Sequence, residues 1–124
     1  MVFENIFKGS RGEAIARRFL RKNGFKIKEK NYQTRFGEID IIATEGDDLV
    51  FIEVKTRHGV SYGAPEASVG LHKQRHITRA ARQYLMEKGL NENCVGVRFD
   101  VVGIEFKGTE FEIGLVRGAF DAVE

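Results

Sequence analysis

Cysteine is almost absent from this 124-residue chain. Cys94 is alone, which excludes an internal disulfide and a cysteine-based zinc site. No apolar run approaches the roughly 20 residues needed to span a membrane. The first residues, MVFENIFKGSRGE, hold too short an apolar stretch for a signal peptide, so a cytoplasmic location is expected. Histidines are few. His72 and His76 stand four apart, but no third ligand and no HExxH pattern accompany them, which argues against zinc. Repeats, linkers and low-complexity segments are missing too. What remains is a chain of ordinary apolar and charged content, long enough for one domain (1–124) with a core that needs no staples.

Net charge is only +2, yet it is unevenly spread. Residues 1–35 hold ten basic against three acidic side chains, and residues 91–124 hold three against seven. A basic first third suits a polyanionic partner. A solvated helix face would look the same by charge alone.

The organising stretch is GEIDIIATEGDDLVFIEVKTR, residues 37–57. Two β-prone runs, Glu38–Thr44 and Leu49–Thr56, flank Glu45-Gly46-Asp47-Asp48. Gly46-Asp47 reads as a two-residue type II′ turn, with glycine taking the positive φ. Counting back from Glu45 opposite Asp48 sets Asp40 against Glu53 and Glu38 against Lys55. By alternation these four share one face, and Ile39, Ile41, Ala43, Val50, Ile52 and Val54 share the other. Directly opposed carboxylates repel unless a cation lies between them. Oxygen ligands of this kind suit Mg²⁺, and Lys55 points at the same spot. The competing reading is a salt-bridged surface ladder. Ile42, Leu49 and Phe51 on the charged face weigh against it, because they imply burial.

The remaining elements follow from periodicity and punctuation. Ser10-Arg11-Gly12-Glu13 fits a capping box opening a helix that ends at Gly24. Ile15, Ala16, Phe19 and Leu20 form its apolar stripe. Phe25–Asn31 is a first strand with lysines outward at an edge, and Asn31–Phe36 a polar connection. Arg57–Pro65 is expected to be a loop leaving the sheet at the acidic end. It is either a plain connection or a cover for a phosphate backbone through Arg57, His58 and Tyr62. Pro65 opens a helical region broken at Gly70 and resumed over 71–88, with Ile77, Ala80, Ala81, Tyr84 and Leu85 inward. Lys73, Arg75, Arg79 and Arg82 make its basic side. Val95–Phe106 and Glu110–Val116 form a second hairpin. The helix before Val95 lets that strand lie parallel to the third. Asp100 is not assigned to the metal. The order is αβββαββ, an α/β mixed five-stranded sheet flanked by helices.

Asp40 followed on the next strand by Glu53-Val54-Lys55 resembles the PD-(D/E)XK nuclease superfamily. A longer string narrows this: Gly12-Glu13, Asn31-Tyr32, Gly37–Asp40, Phe51–Arg57, Lys73 and Arg98–Val101 together resemble the YraN family of small bacterial proteins. That family is similar in layout to archaeal Holliday-junction resolvases. The resemblance implies a restriction-endonuclease-like core and a Mg²⁺- or Mn²⁺-dependent endonuclease acting on DNA, branched or repair intermediates included. It implies catalytic roles for Glu13, Asp40, Glu53 and Lys55. The metal would be held by Asp40, Glu53 and the Val54 carbonyl, with Glu38 beside them. Glu13 thus has two readings, cap or site. Arg57, Lys73, Arg75 and Arg79 are candidates for backbone phosphates. DNA is the expected partner, a membrane is not, and a homodimer is left open. Ile39 stands where the superfamily name has proline. Two other classes compete: a nucleic-acid-binding module without activity, and a scaffold protein, which the basic first third disfavours.

Overall fold

The computed structural model describes residues 2–59 and 64–124, with side chains from Arg11 onward. Helix α1 (Val2–Lys22) precedes three strands, β1 (Lys26–Thr34), β2 (Gly37–Glu45) and β3 (Asp48–His58). A 3-10 turn at Pro65–Ser68 leads to helix α2 (Leu71–Glu87), then β4 (Gly96–Lys107) and β5 (Glu110–Phe120). The sheet runs β1-β2-β3-β4-β5 and is antiparallel except for β3 and β4. The expected αβββαββ order and mixed five-stranded sheet are therefore what the chain adopts.

The β2–β3 turn fixes the register. Gly46 has φ +58° and Asp47 stays out of the left-handed region, as a type II′ turn requires. Pairs run from Glu45↔Asp48 to Ile41↔Ile52. A parallel neighbour cannot be reached by a tight turn. Helix α2 makes that crossing, and β3 pairs with β4 from Asp48↔Gly96 to His58↔Phe106. Gly89, with φ +66°, ends α2 where Leu90 N–H donates back to the Leu85 carbonyl at 2.8 Å.

Each helix covers one face. Ala16 and Leu20 of α1 pack with Ile41, Ala43, Val50, Ile52, Val102 and Ile104. Ile77, Ala80, Ala81, Tyr84 and Leu85 of α2 pack with Ile42, Leu49, Phe51, Phe99 and Val101. Strand β3 is buried on both sides, which explains its near-continuous apolar run. Edge strand β1 exposes Lys26, Lys28 and Lys30, side chains that discourage pairing with another sheet.

Several expectations need correction. Helix α1 begins at Val2, so Ser10 lies inside it and not at its N-cap position. The N–H groups of residues 10–13 already belong to a running helix, which releases Glu13 for the site. Residues 31–34 extend β1, leaving Arg35-Phe36 as the turn. Thr34 Oγ1 tightens it, accepting from Phe36 N–H at 3.0 Å and donating to the Gly37 carbonyl at 2.8 Å. Ile39 joins the α2 core rather than the α1 core. Its partner Tyr32 does the same, and the alternation of β2 breaks between Ile39 and Ile41, where β2 leaves β3. Arg57 and His58 belong to β3, so the loop starts later, and Tyr62 lies outside the described residues. Strand β5 runs on to Phe120.

At the turn end of the sheet, Arg98 gathers three acids. It donates to both oxygens of fully buried Asp100 at 2.8 Å, to Glu45 at 2.6 Å and to Asp48 at 3.2 Å. Arg117 of β5 forks onto Glu45 at 2.6 and 2.9 Å. The Gly118 N–H donates to Asp100 at 3.0 Å. Glu45 is held at a pKa of about 2, first by Arg117 and then by Arg98. This accounts for Asp100 without a metal.

Candidate metal centre

The centre forms where β2 leaves β3. Their pairing stops at Ile41↔Ile52. One step on, the Val54 N–H donates to Asp40 Oδ2 at 2.8 Å, so a side chain takes over from the ladder and is itself aimed inward. Glu53, the expected partner of Asp40, is 6% exposed. Burial and then the Asp40 charge push its pKa up to about 7. Burial also raises Asp40, against the Val54 bond that favours its anion. Two ammonium groups answer the pair. Lys73 Nζ of α2 lies 3.6 Å from Glu53 Oε1 and Lys55 Nζ lies 3.9 Å from it.

Helix α1 supplies a third side. Gly12 lets it approach closely: a Cβ there would sit 2.4 Å from Thr56 Cγ2 of β3. The next residue, Glu13, comes within reach of the sheet. Glu13, Glu38 and Asp40 each present an oxygen within 4.8 Å of the other two. Burial, Asp40 and Glu38 together raise the Glu13 pKa, while nearby Arg17 opposes them. Glu38 is thus a full member of the acidic group.

Two residues of β1 complete the group, and the sequence reading assigned neither of them. With its amide nitrogen turned to the acids, Asn31 donates to Glu38 Oε1 at 2.8 Å and to Glu13 Oε2 at 2.9 Å. Gln33 donates to Glu38 Oε2 at 2.8 Å. The available signal was local: asparagine is the residue after glycine that best tolerates a left-handed backbone, and it interrupts an alternating strand.

The other expected residues separate into two sets. Lys73 reaches the centre while its side chain stays 47% exposed on α2. Arg57 is half-buried and donates to the Ala64 carbonyl at 2.9 Å. Arg75 and Arg79 are exposed on α2. The His72 and His76 rings lie 4.3 Å apart, but among the described residues no third ligand joins them. Carboxylate oxygens converging with no thiolate or imidazole suit a hard divalent cation such as Mg²⁺ or Mn²⁺ rather than zinc.

Fold and centre define an α/β protein with one mixed sheet and an acidic group between its first helix and the strands. The chain belongs to the uncharacterised protein family UPF0102, whose family model matches residues 12–104. This is the YraN family that the motifs resemble. A UPF0102 protein of Syntrophotalea carbinolica is 44% identical over 121 residues, 98% of this chain and 97% of its own. One of Desulforapulum autotrophicum is 48% identical over 112 residues, 90% of this chain and 91% of its own. A solved structure, Pyrococcus Furiosus SfsA in complex with Ca2+, is similar at a TM-score of 0.37 and 11% identity, over 92% of this chain and 62% of that one. Among the described residues no helix is long and apolar enough to cross a membrane.

Proposed function

We propose that the protein is a metal-dependent endonuclease hydrolysing DNA phosphodiester bonds in the cytoplasm, with branched or repair intermediates among its substrates. One observation carries this reading: buried Glu53 stands beside Asp40 with two ammonium groups within 4.0 Å of it. Asp40, Glu53 and the Val54 carbonyl would hold Mg²⁺ or Mn²⁺, with Glu13 and Glu38 at its border. Bound there, such an ion lowers the pKa of a water and offsets charge developing on the phosphate. Glu53 must give up its proton to ligate, so metal affinity rises with pH. Lys55 has no lone pair to offer a metal. Its role is to donate to the attacked phosphate as charge builds there. Arg75 and Arg79 hold backbone phosphates, which adds affinity without sequence readout.

The test is a panel of single-stranded, duplex, flapped and four-way DNA incubated with Mg²⁺ or Mn²⁺, with Asp40→Asn as the inactive control. Cleavage by wild type alone supports the reading, and no cleavage of any substrate overturns it. A second reading, a DNA-binding module without activity, has its own support. Lys73 and Lys55 already supply counter-charge to Glu53, so the buried acids do not demand a metal. That module would shift the panel on a gel, cleave nothing and gain no thermal stability from Mn²⁺.

A further inference from the structure

We infer that Asn31 is a positioning residue that clamps Glu13 of α1 to Glu38 of β2 and so builds the helix carboxylate into the acidic centre. Three observations carry it. Like charges with oxygens inside 4.8 Å push apart unless a donor lies between them, and the Asn31 amide is that donor, at 2.9 Å from Glu13 and 2.8 Å from Glu38. A primary amide has two N–H groups, so one side chain can serve both acids without adding charge. Asn31 is also the only non-glycine residue with positive φ among the described residues, at +51°. A non-glycine backbone in that region costs energy, and it persists where the surroundings over-determine it. The left-handed turn falls where the cores change over: Ile41, opposite Lys30, lies in the α1 core, and Ile39, opposite Tyr32, in the α2 core.

Gln33 is the second half of the device. It pairs directly with Glu38 across the strands and donates to its other oxygen at 2.8 Å. Glu38 is therefore gripped at both oxygens from β1. Glu13 has only the Asn31 amide from that strand. Losing Asn31 frees the helix carboxylate, whereas losing Gln33 leaves Glu13 in place. This asymmetry separates a clamp from general packing.

The consequence for metal affinity rests on the metal-centre reading above, but the clamp itself does not. The first measurement uses metal-free protein. The two side-chain amide protons of Asn31 should both be displaced from free-asparagine positions in a ¹⁵N–¹H spectrum. In Glu13→Ala one of them should return towards the free value while the other stays. Two protons already at free positions in wild type, or unmoved in Glu13→Ala, overturn the clamp. The second measurement is Mn²⁺ titration by calorimetry. Asn31→Gly keeps the left-handed backbone open and removes the amide. It should weaken Mn²⁺ by about 10-fold, the low end of the usual loss for outer groups, because Asn31 holds carboxylates at the border of the ion and not its ligands, with the melting temperature little changed. Asn31→Gly binding Mn²⁺ as wild type does would overturn the positioning role. Wild type that shows the displaced amide protons yet binds no Mn²⁺ would leave the clamp standing and sink the metal centre instead.

Discussion

Lys73 Nζ of α2 lies 3.6 Å from Glu53 Oε1 of β3, a cation from one face of the sheet set against an acid whose pKa is pushed up to about 7. The pair ties α2 to the centre. It also means that the lysine and a divalent cation compete for the same carboxylate.

Glu53 makes stability fall as pH rises. Its folded pKa, about 7, exceeds the ordinary 4.5, so between these values the folded protein binds more protons than the unfolded chain. The stabilisation is complete below pH 4.5 and is lost as pH climbs through 7. In metal-free protein, Glu53→Gln should flatten the melting temperature between pH 5 and 8. At pH 8 it should exceed wild type by on the order of 1–3 kcal/mol. Parallel pH profiles for the two proteins would exclude a raised Glu53.

Asp40→Asn keeps an oxygen for the Val54 N–H and removes a charge that Glu53 and Glu13 both feel. The metal-free protein should melt at the same temperature or slightly higher. Stabilisation by Mn²⁺ should vanish. Equal metal-induced shifts in both proteins would show that Asp40 is no ligand.

Lys55→Ala should spare Mn²⁺ and DNA binding and cut the cleavage rate on the order of 10²–10³-fold, as removal of one preorganised charge-stabilising donor does. Glu53→Ala should lose metal binding and cleavage together. Single-turnover assays on the best DNA substrate, beside calorimetry, separate the two. Cleavage unaffected by Lys55→Ala would rule out the role given to that lysine.

On the DNA face, Arg75 and Arg79 are the residues to neutralise, because Lys73 is already engaged by Glu53. The double alanine variant should weaken all sequences alike. It should also reduce the slope of log affinity against log salt by roughly 0.9 per lost phosphate contact. An unaltered slope moves the DNA surface to the arginines of α1.

Gly12→Ala drives a methyl to 2.4 Å from Thr56 Cγ2. Over-packing of this kind costs about 1–3 kcal/mol, read from urea midpoints. Thr56→Ser removes that methyl and should restore most of the loss in the double variant. A loss that Thr56→Ser does not relieve would place the defect elsewhere in α1.

The hairpin was legible because a two-residue turn fixes parity, and parity decides which side chains share a face. Gly46-Asp47 was enough to set the register as far as Ile41↔Ile52, beyond which Asp40 takes the Val54 N–H on its side chain. The parallel β3–β4 pair was legible because only a long crossing can make one, and α2 supplies it. Ile39 was not, because counting by twos assumes an unbroken ladder, and β2 leaves β3 after Ile41. Glu13 was half legible: Ser10 and Glu13 have capping spacing, but spacing alone cannot tell whether a helix has already started. Lys73 was read as a surface cation because its partner lies 20 residues away, and only the packing of α2 on β3 unites them.

The Arg98 cluster has a bearing on how the sheet finds its alignment. Strands β3 and β4 are both rich in valine, isoleucine and phenylalanine, so sliding one past the other by two residues keeps every side chain on its own face. Burial alone discriminates weakly against that slip. Charge does not tolerate it. A two-residue slip of β4 towards the C-terminal end of β3 carries Arg98 roughly 6.6 Å along the strand, from its place opposite Val50 and away from Asp48 and Glu45. The cluster thus acts as an index mark for the parallel pair. Arg98→Met, similar in reach but uncharged, would remove that mark and also leave fully buried Asp100 without its guanidinium partner.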